Sequence, residues 1–146
     1  MCKNLPVGFT YDENKEIIGV NETMYLYADE EFYGFGEKFT NFCKRGQTIN
    51  CWQTDALSTN TEKSYKNHPF FMSSRGYAIL LNTYTRSKFE MGSFSNVAYN
   101  MSVEDKVLDY VIWMGNDYKA LLKSYINQTG KIPMIPKWAL GLWMSK

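Results

Sequence analysis

A chain of 146 residues with 16 Lys+Arg against 15 Asp+Glu, a formal net charge of +1, and 45% hydrophobic and 16% aromatic residues carries enough apolar material for one globular core. That composition excludes a natively unfolded chain. The balanced charge, with no like-charge block longer than Asp29-Glu30-Glu31, excludes the basic footprint of a nucleic-acid binder.

Most of the chain reads as short strands separated by turn residues. The first clear one is the run 23–27, whose Thr23, Tyr25 and Tyr27 suit a pleated surface. Residues 77–81 form a continuous apolar run after the turn Ser74-Arg75-Gly76, as expected of a central strand buried on both faces. Val97, Tyr99, Met101 and Val103 alternate with Ala98, Asn100 and Ser102, the period-2 pattern of a strand with one wetter face. The run 108–113 follows after the polar turn Glu104-Asp105-Lys106, and the two together are expected to form a hairpin.

One helix is expected, because Tyr118, Leu121, Leu122, Tyr125 and Ile126 recur at helical spacing. Asp117 is placed to cap its start and Gly130 to end it. Pro133 and Pro136 then forbid helix and central strand alike, which marks 131–136 as an extended connector and a domain boundary. The apolar run 138–144, with Trp138, Leu140, Leu142 and Trp143, reads as a strand that needs neighbours on both faces. The expectation is therefore a piece of a longer protein, reaching just into its next domain.

Few residues carry chemistry unaided. No apolar run approaches the ~20 residues that cross a bilayer, and the polar start Met1-Cys2-Lys3-Asn4 lacks a signal-peptide core, so a soluble, cytoplasmic protein without a membrane partner is expected. Cys2, Cys43 and Cys51 are odd in number and lack CxxC spacing, and no metal site or other cofactor is expected. Gly34-Phe35-Gly36 lacks the further glycines or Gly-Lys-Ser ending of a phosphate loop, and reads instead as a strand-end turn where backbone conformation or close approach demands glycine. His68 is the only histidine, and no Ser-His-Asp or Cys-His relay assembles around it; packing or a turn hydrogen bond is its expected role.

Asp55 stands three residues after Trp52, at the start of a polar stretch running to Lys66. Sugar sites combine an aromatic face for the C–H side of a pyranose with a carboxylate for its hydroxyls. An aspartate there equally serves as a turn cap, and on the residues alone the two readings stand level. Trp52 likewise fits a core as well as a sugar platform. Glu37, Glu90 and Asp109 are the other acids in strand-like context.

Taken in order, several segments resemble glycoside hydrolase family 31, the α-glucosidases and α-xylosidases. Phe32-Tyr33-Gly34-Phe35-Gly36-Glu37-Lys38-Phe39 is similar to the family's YGxGE segment, and Gly46-Gln47 through Trp52-Gln53-Thr54-Asp55 to its G…WNxD strand and loop, with Gln53 replacing the asparagine. Tyr65 through Met72 and Arg75 through Asn82 resemble its YxxxPFF and GYGVLxN strands, and Gly130-Lys131-Ile132-Pro133 with Pro136 through Gly141 resembles its TGxPxxPPxWAxG approach to the catalytic barrel.

This resemblance implies a mainly β chain: a partial galactose-mutarotase-like β-sandwich with one short helix and the first strand of a missing (β/α)8 barrel. The implied domains are 1–115 for a sandwich incomplete at its start, 116–136 for helix and proline connector, and 137–146 for the start of the barrel. The implied function is the non-catalytic N-terminal part of a retaining α-glycosidase acting on terminal α-linked xylose or glucose. Both catalytic aspartates would then belong to the barrel, so no catalytic residue is assigned here. Asp55 is the implied substrate-binding residue, with Trp52 a second candidate for lining the sugar site. The partners are an α-xyloside or α-glucoside and the barrel of the same parent chain, compatible with a homo-oligomeric parent. Leu57 and the stretch 58–67 look closer to the bacterial α-xylosidase branch. The alternative is a stand-alone carbohydrate-binding β-sandwich module without hydrolase activity.

Overall fold

The structure, a computed structural model, describes residues 7–56 and 62–144. In chain order the strands are β1 (Val7–Tyr11), β2 (Ile17–Tyr25), β3 (Phe32–Gly36), β4 (Thr48–Cys51), β5 (Asn67–Ser73), β6 (Tyr77–Leu81), β7 (Ser87–Glu90), β8 (Ala98–Val103) and β9 (Tyr110–Met114), followed by helix α1 (Tyr118–Thr129) and a 3-10 turn at Lys137–Leu140. They form two antiparallel sheets, ordered β1-β2-β8-β7-β4 and β3-β5-β6-β9. The described residues form a mainly β sandwich with one α-helix, as expected.

Alternation along the strands builds two apolar layers. Phe71 of β5 and Ile79 and Leu81 of β6 face the other sheet, where Phe89, Tyr99 and Met101 meet them. The intervening Phe70 and Ala78 face outward onto Leu121 of α1, with Leu80, Trp113 and Tyr125 packed around them. β6 is thus apolar on both sides because it has the sandwich core on one and a helix on the other. The rings of Phe71 and Phe35 stack at 5.3 Å, and Phe32 meets Phe71 edge-on at 5.6 Å. Fully burying each such side chain stabilises the fold by roughly 1.5–3 kcal/mol.

Helix α1 starts where its sequence says it should: the Asp117 carboxylate accepts from the Ala120 N–H at 2.7 Å, and Gly130 ends it at φ 112°. Residues 131–136 follow without regular structure. No described helix is long and apolar enough to cross a membrane.

Two expectations are corrected. β8 and β9 are not a hairpin: β8 pairs with β2 and β7, while β9 pairs with β6 in the opposite sheet. The apolar run of β9 serves two surfaces, Tyr110 reaching the sandwich core and Trp113 the helix layer. Its place at the β6 edge allows this. The apolar run expected as a first barrel strand is instead a 3-10 turn at Lys137–Leu140, with Trp138 83% and Leu142 88% exposed. An apolar strand is held by neighbours on each side, and no described strand pairs with this run.

One buried polar device ties the sheets to the β2–β3 connection. Glu30 is completely enclosed, and its carboxyl accepts from the Ser73 hydroxyl at 2.5 Å, the Tyr77 hydroxyl at 2.6 Å and the Tyr27 N–H at 3.1 Å. Tyr77 also bonds Tyr99 at 3.1 Å. Burial, then the neighbouring Tyr99 and Glu30, push the Tyr77 hydroxyl far above the ordinary tyrosine pKa, so it stays a donor.

Candidate functional site

The glycines of Gly34-Phe35-Gly36, at the end of β3, bring that strand against the start of β5. Both have positive φ, as does Phe35 at 70°, and the pairing with β5 shifts register between them. A Cβ on Gly36 would lie 2.2 Å from the Lys66 carbonyl oxygen, so backbone touches backbone here. The expected need for positive φ and close backbone approach is met, but within β3 at a bulge in its pairing with β5 rather than in a turn after the strand. The bulge delivers the next two residues, Glu37 and Lys38, to the polar loop that joins β4 to β5.

That loop carries Trp52 and Asp55, and it is braced at both ends. The Lys38 side chain is 2% exposed; its Nζ donates to the carbonyls of Asn50 at 2.7 Å and Glu62 at 3.2 Å and lies 3.5 Å from the Glu62 carboxylate. Asn50 Nδ2 donates to the same carboxylate at 3.1 Å. At the β5 end, the side chain of Gln53 pairs with the Asn67 backbone as a strand would, accepting from its N–H at 3.0 Å and donating to its carbonyl at 3.2 Å. The Asn67 amide in turn donates to the carbonyls of Trp52 at 2.7 Å and Ser64 at 2.6 Å. Charge-assisted and bidentate bonds of this kind hold a loop in one geometry.

Within this frame Trp52 is 48% exposed, which rules out the core role weighed for it. The Arg86 guanidinium lies over its ring, 5.0 Å from the centroid. Trp52 and Arg86, with Asn50, Thr54, Glu62 and Lys63, line a cavity of about 430 Å³. Asp55 is exposed on the same loop and lines neither this cavity nor the smaller one on the other side of Trp52. Leu57 and residues 58–61, on which the xylosidase-branch likeness partly rests, lie outside the described residues.

The other sequence candidates have structural partners. Glu37 pairs with Lys66 at 3.0 Å, Glu90 with Lys88 at 3.0 Å, and Asp109 accepts from Asn82 Nδ2 at 2.7 Å. Cys43 and Cys51 are free thiols, and burial pushes the Cys51 thiol up to about 12, which removes it as a nucleophile at neutral pH. Lys38, Gln53, Asn67 and Arg86 were missed by sequence reasoning. Lys38 had a local signal in its position directly after Gly36-Glu37, and Gln53 in its place between Trp52 and Asp55 in the WNxD-like segment, but neither was given a role.

His68 lies away from this loop's exposed face, on the helix side of β5. Its Nε2 shares a 2.7 Å hydrogen bond with the Tyr125 hydroxyl of α1. Burial lowers its pKa below the ordinary value. The unfolded chain then binds the proton more readily than the folded one, so stability is held above the ordinary histidine pKa and is lost as pH falls through it toward the folded value. The urea midpoint of the wild-type chain should therefore drop more steeply than that of His68→Gln as pH falls from about 7 to about 5. Parallel profiles would contradict the role given to His68.

The comparisons with known proteins agree with this architecture. The family described as the glycosyl hydrolase 31 N-terminal galactose mutarotase-like domain matches residues 4–90. Alpha-xylosidase XylQ of Lactiplantibacillus pentosus is 35% identical over 140 residues, covering 96% of this chain and 18% of XylQ. An isomaltosyltransferase of Sporosarcina globispora is 38% identical over 131 residues, covering 86% of this chain and 12% of that enzyme. The GH31 dextranase FjDex31A of Flavobacterium johnsoniae, solved in complex with glucose, has a TM-score of 0.80 at 33% identity, across 90% of this chain and 18% of its own. This chain spans less than a fifth of the length of each of these relatives.

Proposed function

This chain belongs to the glycosyl hydrolase 31 N-terminal galactose mutarotase-like domain family, and from that premise we propose that it is the non-catalytic N-terminal part of a retaining α-glycosidase hydrolysing terminal α-linked xylose or glucose. In this reading 1–115 is the sandwich, 116–136 the helix and connector, and 137–146 the first residues of the catalytic barrel. The two carboxylates of a retaining mechanism, one nucleophile and one acid/base, come from that barrel. The sandwich contributes the loop after β4, with Asp55 accepting hydrogen bonds from sugar hydroxyls on the leaving-group side and Trp52 beside it.

The observation that carries the reading is the braced, exposed loop. Lys38, Gln53 and Asn67 fix its two ends, while Trp52 and Asp55 face solvent rather than the core. Preorganised groups of this kind lose little entropy when a ligand arrives. XylQ's likeness favours xylose, and the isomaltosyltransferase and the dextranase keep glucose-based substrates in view.

The test is a full-length parent enzyme containing this chain, assayed on nitrophenyl α-xyloside and α-glucoside. The expected result is hydrolysis with kcat/KM about tenfold higher for the xyloside, since one hydroxymethyl group more or less in a fitted pocket discriminates by ~1–3 kcal/mol. The 146-residue chain alone should hydrolyse neither. Turnover by the isolated chain, or none by the parent on either substrate, would overturn the proposal.

A further inference from the structure

The connection from β3 to β4 buries the side chains of two lysines, and they use their charges differently. Lys44 is 4% exposed, and among the described residues its ammonium bonds within its own segment, to the Thr40 hydroxyl at 3.0 Å and the Asn41 carbonyl at 2.7 Å. Lys38 reaches across to other parts of the chain. Its Nζ donates to the carbonyl of Asn50, near the end of β4, and to that of Glu62, on the returning limb of the loop that carries Asp55.

An enclosed ammonium is costly unless carbonyls or a carboxylate meet its protons. The acceptors of Lys38, including the Glu62 carboxylate at 3.5 Å, come from the two limbs of that loop. Neither limb can therefore move off without leaving an enclosed charge short of partners. The Glu62 carboxylate also accepts from Asn50 Nδ2 at 3.1 Å, which closes a ring from one limb to the other. Further along, the limbs meet directly: the Thr54 N–H donates to the Ser64 carbonyl at 3.0 Å, and Asp55 is the next residue. The backbone beside Lys38 is itself fixed, because the Glu37 N–H donates to the Lys66 carbonyl at 2.9 Å where Gly36 touches β5.

We propose that Lys38 is a positioning residue for the sugar site: enclosed beneath the loop, it acts only through Asp55, by holding together the two limbs that set where the carboxylate stands. This rests on the reading of Asp55 as the sugar-binding carboxylate. It goes further in making that contact depend on a charge that lies on a different segment and never meets the sugar.

The experiment is a double-mutant cycle in a full-length parent enzyme containing this chain, on the nitrophenyl α-glycoside it cleaves best. Lys38→Met, which keeps an apolar stem and removes the ammonium, should lower kcat/KM about tenfold, because a displaced binding group loses its alignment with the substrate. The loss should divide between kcat and KM as it does in Asp55→Ala. A merely less stable protein would lose active enzyme, and so apparent kcat, at unchanged KM. With Asp55 gone there is no carboxylate left to position, so the double variant should match Asp55→Ala within about twofold. Lys44→Met, which loses a buried ammonium bonded within its own segment, should lower the thermal midpoint and leave kcat/KM unchanged. Where Lys38→Met does not fold, Glu62→Ala opens the same ring from its more exposed side, with about a threefold loss and the same non-additivity. Losses that multiply in the double variant, wild-type kinetics in the folded ring variant, or an equal loss in Lys44→Met would overturn the proposal and leave the role of Asp55 standing. Wild-type kinetics in Asp55→Ala would instead remove the substrate reading itself, and the role of Lys38 with it.

Discussion

Replacing Gly36 by alanine is expected to destabilise the chain by about 4 kcal/mol or more, most of the margin of an ordinary domain. Two costs add. The residue sits at φ 79°, where an L side chain is strained by roughly 1–2 kcal/mol. The new Cβ would also stand 2.2 Å from the Lys66 carbonyl oxygen and 3.0 Å from the His68 nitrogen, both backbone atoms that no rotamer change can move. Relief requires β3 and β5 to separate where the Asp55 loop rejoins the sheet, so Glu37 N–H would lose its 2.9 Å bond to Lys66 as well. Gly46 provides the internal comparison, since it has φ 76° but no atom within 4 Å of its would-be Cβ. Gly46→Ala should cost only the conformational part. Urea denaturation of both variants measures the difference, and equal midpoints would remove the close-approach argument.

Local signals were legible wherever they were local in cause. The continuous apolar run 77–81 is β6 from end to end, and Asp117 and Gly130 bound α1 because capping depends on neighbours within one turn. The pairing of β8 was not legible. Two apolar runs joined by a polar turn look alike whether they share a sheet or face each other across a sandwich, and only the whole fold shows that β6 needs β9 beside it. Glu30 was hidden for a similar reason. Inside Asp29-Glu30-Glu31 it reads as one of three solvated acids, yet its partners Ser73 and Tyr77 lie more than forty positions away.

The proposed substrate loop was half legible. Trp52 and Asp55 drew notice by residue type and spacing, but the residues alone left core and turn-cap roles open, and only the family resemblance singled them out. Lys38, Gln53 and Asn67, which fix where those two stand, are ordinary polar residues until β4 and β5 are brought together. Arg86, over the Trp52 ring, comes from β7's approach and has no sequence signal at all.

The measurement that tests the central claim most directly is the kinetics of Asp55→Ala in a full-length parent enzyme, on whichever nitrophenyl α-glycoside it cleaves best. A carboxylate that accepts hydrogen bonds from a bound sugar contributes roughly 1.5–3 kcal/mol, so kcat/KM should fall about 10- to 100-fold. Asp55→Asn, which keeps one acceptor but not the charge, should fall in between. Asp55 is exposed and its removal leaves the Lys38, Gln53 and Asn67 braces in place, so the thermal midpoint should not change. Wild-type kinetics in Asp55→Ala would contradict the account, because the loop would then be folded and braced without touching the sugar.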